Sequence, residues 1–387
     1  MRGGVLIFFI LLFCSSCATT NLKPVTEDGF SFKDDEKRLW VRSDEEQDVL
    51  NQSGLIYQDQ SVTEYLNTIV AKLCQEEMDE HIAFKIYVLK DPHFNAFAFP
   101  NGAIYVHTGI LARAENEAQI ATLLAHEMTH CTHRHAVKNI RSIKNTTALL
   151  ATLQVTTAGL GGGLDALANV LGTVGTMAAV SGYSKNLESE ADKEGLGLMV
   201  KAGYDPNEAP KLFLHIKEEL EEEDINEPFF FGSHPRLNER IKNYERLINQ
   251  EYQNNTKGTK NTETFLKYIQ EIILENAELD LRLGRYEFAE KGVEKYLQLN
   301  QNNHKAYYLL GEIYNRELEN GDIDRSISYY QKSISINSSY PDPYRELGLI
   351  YYKQEKKTLA KQYFEEYLNL STEAQDVEYI KFYLQQI

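Results

Sequence analysis

The sequence predicts an α+β protein that is mainly helical, with a small β-sheet in its first half and an α-solenoid at its end. Apolar residues recur at helical spacing in several segments before residue 250. Short apolar segments at 82–89, 95–99 and 103–107 have the alternation typical of strands. From about residue 264, small and aromatic residues recur at intervals of 34 and 37 positions, which indicates stacked helical repeats.

Residues 1–17 have the pattern of an export signal. A nine-residue apolar run, 5–13, is too short to span a bilayer but fits the apolar core of a secretory signal. Cys14, two serines and Cys17 follow, an ending similar to the lipobox of bacterial lipoproteins, except that Cys14 stands where that box usually has leucine. We therefore expect a periplasmic protein anchored by a lipid on Cys17, and Ala18 favours the outer membrane. An ordinary cleaved signal is the alternative.

The composition excludes one class of partner. Hydrophobic residues make up 42% of the chain and charged residues 25%, which is ordinary for globular domains. The formal net charge of -17 argues against nucleic acid, because a phosphate-binding face needs clustered Lys and Arg. After the signal, two cysteines remain, Cys74 and Cys131, and two cysteines do not establish a disulfide.

Changes of composition divide the chain. Residues 18–34 are polar and are interpreted as a tether, and 35–250 as the first folded domain. The polar stretch 251–263 is predicted to be a linker, and 264–387 a domain of tetratricopeptide repeats. Leu-Gly pairs at Gly311 and Gly348, with tyrosines at matching positions, carry the repeat pattern. Three such repeats would stack and offer a groove to a partner protein.

Residues 145–183 carry a single charge, at Asp165, in a stretch rich in Gly, Ala, Thr and Leu. A membrane-inserted hairpin is one interpretation, because each half approaches the shortest length for spanning. The glycine run 161–163 and the frequent threonines favour the other interpretation, in which the stretch forms two buried or loosely packed helices near the active site.

His126-Glu127-Met128-Thr129-His130 is an HExxH motif within a helix predicted over 116–140. Two histidines one turn apart lie on the same helix face, so both imidazoles can reach one metal ion. Glu127 lies beside them, where its carboxylate could hold a water molecule and act as a general base.

A catalytic zinc needs a third protein ligand. One known extension of the motif would require glycine at 133 and histidine at 136, but the sequence has His133 and Ala136. His133 and His135 are then surface residues or hydrogen-bond partners of a ligand. A later helix offers Glu188 and Asp192, which share a face, so Glu188 could bind the metal and Asp192 could orient a histidine. Solvated acids on a surface helix are the alternative.

The sequence resembles the gluzincin metallopeptidases of the HtpX and CAAX-prenyl-protease type in three features. These are the HExxH helix, the later helix with Glu188 and Asp192, and the segment Asn95–Gly102 ahead of both. The signal, Cys17 and the repeats add a resemblance to the BepA-like branch, the beta-barrel assembly-enhancing proteases. The resemblance implies an HExxH zinc-peptidase domain over 35–250. It also implies one Zn²⁺ per chain, with Glu188 as the third ligand.

The resemblance assigns further roles. It implies that an edge strand pairs with the substrate backbone, formed here by Asn95, Ala96, Phe97, Ala98 and Phe99. It makes His234 a candidate fourth ligand or transition-state donor, and Arg240 a candidate stabiliser of the oxyanion.

The predicted function is zinc-dependent cleavage of exported, misfolded or misassembled envelope proteins, with the repeats recruiting substrate or partner. The alternative is a self-inhibited chaperone or adaptor that acts through its repeats, with His234 closing the metal site.

Overall fold

The computed structural model describes residues 21–74, 78, 80–144, 170–172, 174–176, 183–222, 237–253, 258–316, 322–371 and 375–387. The predicted signal with Cys17, His234, and most of the stretch 145–183 lie outside the described residues.

Eight helices and three strands precede the repeats in the described ranges. The strands are β1 (Lys85–Leu89), β2 (Ala96–Ala98) and β3 (Ala103–His107). The helices are α1 (Asp34–Gln52), α2 (Gln60–Leu73), α3 (Thr108–Arg113), α4 (Glu117–Thr132), α5 (His135–Lys144), α6 (Lys185–Lys201), α7 (Ala209–Glu222) and α8 (Leu237–Glu251). A short 3-10 helix, Pro206–Glu208, precedes α7. Together with the repeats, this confirms the predicted α+β, mainly helical class.

The sheet has the order β1-β3-β2, with β1 parallel and β2 antiparallel to β3. Side chains alternate between its two faces. One face, with Ala96 and Ala98, joins the large core that includes α4. The other face, with Phe97 and Tyr105, packs in a separate cluster with Leu50 of α1. The strand β2 is thus an edge strand lying against α4.

Two described pieces of the 145–183 stretch pack on the aromatic face of the sheet. Leu171 and Val174 belong to the same cluster as Phe97. The buried Glu46 carboxylate of α1 accepts hydrogen bonds from the backbone N–H groups of Val174 (3.1 Å) and Gly175 (2.7 Å). These contacts agree with a buried interpretation for this short part of the stretch.

The long helix predicted over 116–140 is interrupted, and that prediction was wrong. Helix α4 ends at Thr132 and α5 begins at His135. Between them, Arg134 has a φ of 60°, in the left-handed region, which costs a non-glycine residue roughly 1–2 kcal/mol. The Arg134 guanidinium is buried and paired with the Glu36 carboxylate, and it also donates to the carbonyl of Lys23 (3.2 Å). These contacts offset the backbone strain.

In the described ranges, seven helices follow residue 258, and the tetratricopeptide pattern was predicted over this part of the chain. They are α9 (Thr262–Arg282), α10 (Tyr286–Leu299), α11 (His304–Arg316), α12 (Ile323–Ile336), α13 (Asp342–Lys353), α14 (Lys357–Leu370) and α15 (Val377–Gln385). The paired helices approach closely at the two glycines of the pattern. A Cβ on Gly311 would lie 2.4 Å from the Tyr330 ring, and one on Gly348 would lie 2.4 Å from the Phe364 ring.

The repeats share a core with the peptidase part. One hydrophobic cluster runs from α2 and α4 through α9 to Ile313 of α11. Residues near the end of the predicted linker also contact the peptidase part: Lys260 forms an ion pair with Glu208 (2.6 Å), and the Asn261 amide donates a hydrogen bond to Glu117 (2.8 Å). No helix in the described ranges combines the length and the apolar character that a membrane span requires.

Candidate metal centre and active site

Helix α4 presents the HExxH residues inside the protein. Its first turn is capped by Asn116, whose side-chain oxygen accepts from the N–H of Gln119 (3.1 Å). The whole helix is buried, so His126 and His130 are held among apolar neighbours rather than exposed to solvent. Their Nε2 atoms, one helical turn apart, approach to 2.9 Å.

Helix α6 brings Glu188 to the same point. Its carboxylate oxygens lie 3.4 Å from Nε2 of His126 and 3.5 Å from Nε2 of His130. The two helices can approach because Gly195 faces α4, where a Cβ would come within 3.0 Å of the backbone nitrogen of His126. Together the three side chains form a fully buried group that could hold a metal ion.

The opposite edge of the His126 ring contacts a carboxylate. Nδ1 of His126 lies 3.0 Å from Oδ1 of Asp192, one turn after Glu188 on α6. That same oxygen accepts from Arg240 (2.8 Å), and the other oxygen accepts from Asn243 (2.9 Å). Burial would raise the pKa of Asp192, but the Arg240 guanidinium and His126 outweigh it and hold that pKa well below its ordinary value. Asp192 is therefore an anion that can accept a hydrogen bond from Nδ1 of His126.

Arg240 lies on the side of the His126 ring that carries Nδ1. Its Nη2 atom is 3.0 Å from Nδ1 of His126, and its guanidinium stacks on the Phe213 ring, 4.3 Å from the centroid. The oxyanion role implied by the resemblance stays a prediction. The contacts in the described part of the chain favour a different role, in which Arg240 holds Asp192 and thereby orients His126.

These two roles of Arg240 can be separated. Arg240→Met keeps the side-chain volume and removes the cation that holds Asp192. We expect zinc affinity to fall about ten- to hundredfold, the usual effect of losing a residue that orients a ligand. Turnover by the zinc-loaded fraction should stay close to wild type. A large loss of turnover with unchanged zinc affinity would instead favour the oxyanion role. Chelator competition and kinetics at saturating zinc measure the two quantities.

His130 contacts His135, for which the sequence left two interpretations open, and Tyr183, which the sequence did not single out. Its Nδ1 atom lies 2.8 Å from Nδ1 of His135, which is fully buried and not on the surface. The ring of Tyr183 stacks on the ring of His130, with centroids 4.1 Å apart and an interplanar angle of 18°. The break at Arg134 places His135 against His130, and no sequence pattern predicted that break or singled out Tyr183.

Glu127 lies beside the cluster and is only 2% exposed. Its Oε1 atom has no hydrogen-bond partner among the described residues. Burial, and then the nearby Glu188 carboxylate, raise the pKa of Glu127 well above its ordinary value, while Arg240 acts in the opposite direction. Two buried carboxylates that face the same space favour a cation between them.

The donor set fits zinc. Two imidazole nitrogens and one carboxylate are the three protein ligands of one common class of catalytic zinc site. The unpartnered Oε1 of Glu127 and the Glu188 carboxylate that raises its pKa favour a divalent cation, because the cation would stabilise both groups as anions. His126, His130 and Glu188 would hold the ion, and Glu127 would remain outside its coordination.

The edge strand lies against the helix that carries the cluster. In the antiparallel pairing, the backbone N–H of His107 donates to Asn95 and that of Phe99 donates to Ala103 (3.0 and 2.8 Å), so Asn95, Phe97 and Phe99 bond to β3. The peptide groups of Ala96 and Ala98 consequently point away from β3. No strand of the described ranges pairs with that outer edge.

The fold and this constellation define a gluzincin-type metallopeptidase domain: an HExxH helix, a glutamate from a later helix and an adjacent edge strand. Residues 60–248 match the sequence model of Peptidase family M48, and 315–355 and 343–373 match tetratricopeptide repeats. The chain thus contains a domain of peptidase family M48 followed by tetratricopeptide repeats, which confirms the resemblance found in the sequence.

Named relatives agree with this family. The chain is similar to the beta-barrel assembly-enhancing proteases of Yersinia pestis (27% identity over 201 residues) and Escherichia coli strain K12 (25% over 206 residues). These alignments cover 51% and 52% of this chain, and 40% and 42% of the relatives. It is also similar to a mitochondrial metalloendopeptidase of Schizosaccharomyces pombe, 28% identical over 48% of this chain and 53% of that protein. The matches to the two bacterial relatives span less than half of their length.

Proposed function

We propose that this chain is an endopeptidase that uses one Zn²⁺ held by His126, His130 and Glu188. The observation that carries the proposal is the buried convergence of these three side chains beside the Glu127 carboxylate. A surface cluster of acids would lack this convergence, and a purely structural zinc site would leave a buried carboxylate beside the ion without use. Membership of residues 60–248 in peptidase family M48 supports the same conclusion.

Each residue has a distinct task in the proposed reaction. Zinc, when bound, supplies Lewis acidity that polarises the substrate carbonyl and lowers the pKa of water to about 7. Glu127 takes a proton on its carboxylate from the attacking water and delivers it to the leaving amine. Asp192 accepts a hydrogen bond from Nδ1 of His126 and so keeps that ring correctly oriented. His234 and Arg240 are candidates for stabilising the transition state by resemblance alone, and the contacts of Arg240 with Asp192 and His126 support the orienting role instead.

We propose that the outer edge of β2 binds the substrate as an added strand. The outward peptide groups of Ala96 and Ala98 support this, because unpaired edge groups are suited to an extended peptide. Ala98→Pro removes one outward N–H and keeps the bonds to β3. We expect KM to rise about three- to tenfold, the value of one hydrogen bond, with kcat nearly unchanged. An unchanged KM in a normally folded variant would contradict substrate pairing at this edge.

We propose that the substrates are exported envelope proteins and that the repeats recruit them or a partner protein. The repeats and the names of the bacterial relatives support this. We further propose a periplasmic protein with a lipid on Cys17, in the outer membrane because Ala18 follows that cysteine; the apolar run 5–13 supports the export signal. Mass spectrometry of the mature N-terminus tests this. A Cys17→Ser protein that keeps its membrane fractionation would contradict lipid anchoring.

The central proposal is tested by measuring metal content and proteolysis together. We expect about one zinc per chain, the capacity of the single three-ligand group found in the described residues, and cleavage of casein. A strong chelator should abolish cleavage, and added zinc should restore it. Zinc without cleavage would favour the self-inhibited chaperone or adaptor. Absence of zinc from the purified protein would contradict the proposed enzyme.

A further inference from the structure

The second ring nitrogen of His130 is bonded to another imidazole rather than to a carboxylate. Nδ1 of His130 lies 2.8 Å from Nδ1 of His135, and Nε2 of His135 lies 3.1 Å from Oε2 of Glu190. The two histidine side chains are 1% and 0% exposed, while Glu190 is 38% exposed. The three groups form a line from the interior cluster to the surface of α6. Lys138 approaches the outer end, 3.6 Å from Glu190.

Only one arrangement of protons satisfies this line, given the proposed zinc site on which the inference rests. If Nε2 of His130 binds the metal, its ring proton must be on Nδ1. Nδ1 of His135 must then accept a hydrogen bond from Nδ1 of His130, so the ring proton of His135 is on Nε2. From there it donates to the Glu190 carboxylate, which is an acceptor when ionised. Every ring nitrogen in the line therefore has a single role.

This contact depends on the break between α4 and α5. In a continuous helix, five residues correspond to a rotation of about 500°, which would turn His135 about 140° away from His130. The left-handed conformation of Arg134 redirects the chain and brings His135 back against His130. The buried ion pair of Arg134 with Glu36 maintains that conformation. A strained residue held by such contacts next to a candidate metal ligand suggests a functional constraint.

The two histidines of the HExxH motif are thus supported differently. Nδ1 of His126 faces the Asp192 carboxylate directly, 3.0 Å away, whereas Nδ1 of His130 is linked to the Glu190 carboxylate through His135. We propose that His135 and Glu190 are positioning residues: they form a relay that fixes the Nδ1-protonated form of His130 and thereby sets the affinity for zinc. Neither residue touches the metal or the substrate in this proposal.

The relay predicts a specific pattern of zinc affinities. His135→Ala removes the acceptor for Nδ1 of His130, so zinc should bind about ten- to hundredfold more weakly. Glu190→Gln should weaken binding less, because His135 can still accept. Since Glu190 acts only through His135, the double variant should match His135→Ala alone. His135→Asn, whose side-chain oxygen can accept, should recover part of the loss. Chelator competition on the full chain measures each value.

His133→Ala is the matched control. Its ring lies near that of His135, with centroids 5.8 Å apart, and its Nδ1 atom contacts Thr132 (3.1 Å). We expect wild-type zinc affinity from this variant. The melting temperature of each zinc-free variant separates a structural role from the relay: a relay changes zinc affinity without an equal change in zinc-free stability.

Three outcomes would overturn the relay: unchanged zinc affinity in His135→Ala, additive losses in the double variant, or a loss that zinc-free instability fully explains. Failure of the underlying function has a different signature, because the wild-type chain would then bind no zinc at all.

Discussion

Replacing Glu127 with glutamine is expected to lower the rate of peptide hydrolysis by about 10²–10⁴-fold, the usual contribution of a general base, without loss of zinc. Glutamine has nearly the same shape but cannot accept a proton from water at neutral pH. Glu127 is not one of the three side chains that converge on the metal position. The substitution therefore removes a proton acceptor and leaves the ligands in place.

Stability should not fall in this variant. The Glu127 carboxyl is buried with its Oε1 unpartnered in the described part of the chain, and its pKa is raised. At neutral pH the zinc-free chain must therefore either bind a proton or bury a charge there when it folds, and a neutral amide removes that cost. We expect the zinc-free variant to melt at or above the wild-type temperature. A loss of activity that came only from unfolding would show the opposite change.

Glu115→Gln is the matched control, because Glu115 lies just before α4 and its side chain is 56% exposed. It should keep wild-type activity and zinc content. Retained turnover in Glu127→Gln at full zinc occupancy would contradict the proposed role of Glu127. Loss of zinc together with activity would mean that Glu127 is itself a ligand.

The candidate site could be predicted from sequence where its geometry follows from helical spacing. His126 and His130 share a face because they are four residues apart, and so do Glu188 and Asp192. The pairing of these two faces needed the family resemblance, since spacing alone cannot say which helices pack together. The structure has the two faces packed together, with Gly195 at the close approach.

The residues around His130 could not be predicted because they depend on tertiary contacts. The left-handed conformation of Arg134 is stabilised by contacts with residues far away in the sequence, among them Glu36, 98 positions earlier. Periodicity therefore predicted a continuous helix and left open whether His135 lies on the surface or bonds to a ligand. The repeats were easier, because each depends on neighbours within one repeat, as the contact of Gly311 with Tyr330 illustrates.

The junction between the peptidase part and the repeats was also hidden from the sequence. A polar stretch at 251–263 predicts a linker, but α9 instead contributes to the core that contains α4. The buried Asp280 of α9 lies 3.2 Å from Arg113 of α3 and 3.1 Å from Arg285. Lys295 of α10 donates to the carbonyls of Ala112 (2.7 Å) and Ala114 (2.8 Å). Such contacts predict that the two parts unfold together.

Asp280→Asn should lower the free energy of unfolding by about 3–5 kcal/mol, the cost of leaving a buried charge without its partner. Asp280 is fully buried, and Arg113 and Arg285 would both lose their shared anion. The Glu219 carboxylate, 2.9 Å from Arg113, would remain as a direct ion-pair partner of Arg113. Asp324→Asn, at an exposed position in α12, is the control and should change stability little.

Denaturant unfolding followed by two signals measures the effect and its location. Trp40 in α1 is the only tryptophan, so its fluorescence reports on the peptidase part, whereas circular dichroism reports on all helices. In the wild type the two transitions should coincide. In Asp280→Asn, we expect helix loss to precede the Trp40 transition, because the repeats are released first. A change below about 1 kcal/mol would contradict this junction, since it would be too small for an unpaired buried charge. Separate transitions in the wild type would show that the shared core does not couple the two parts, and the repeats would then move independently of the active site.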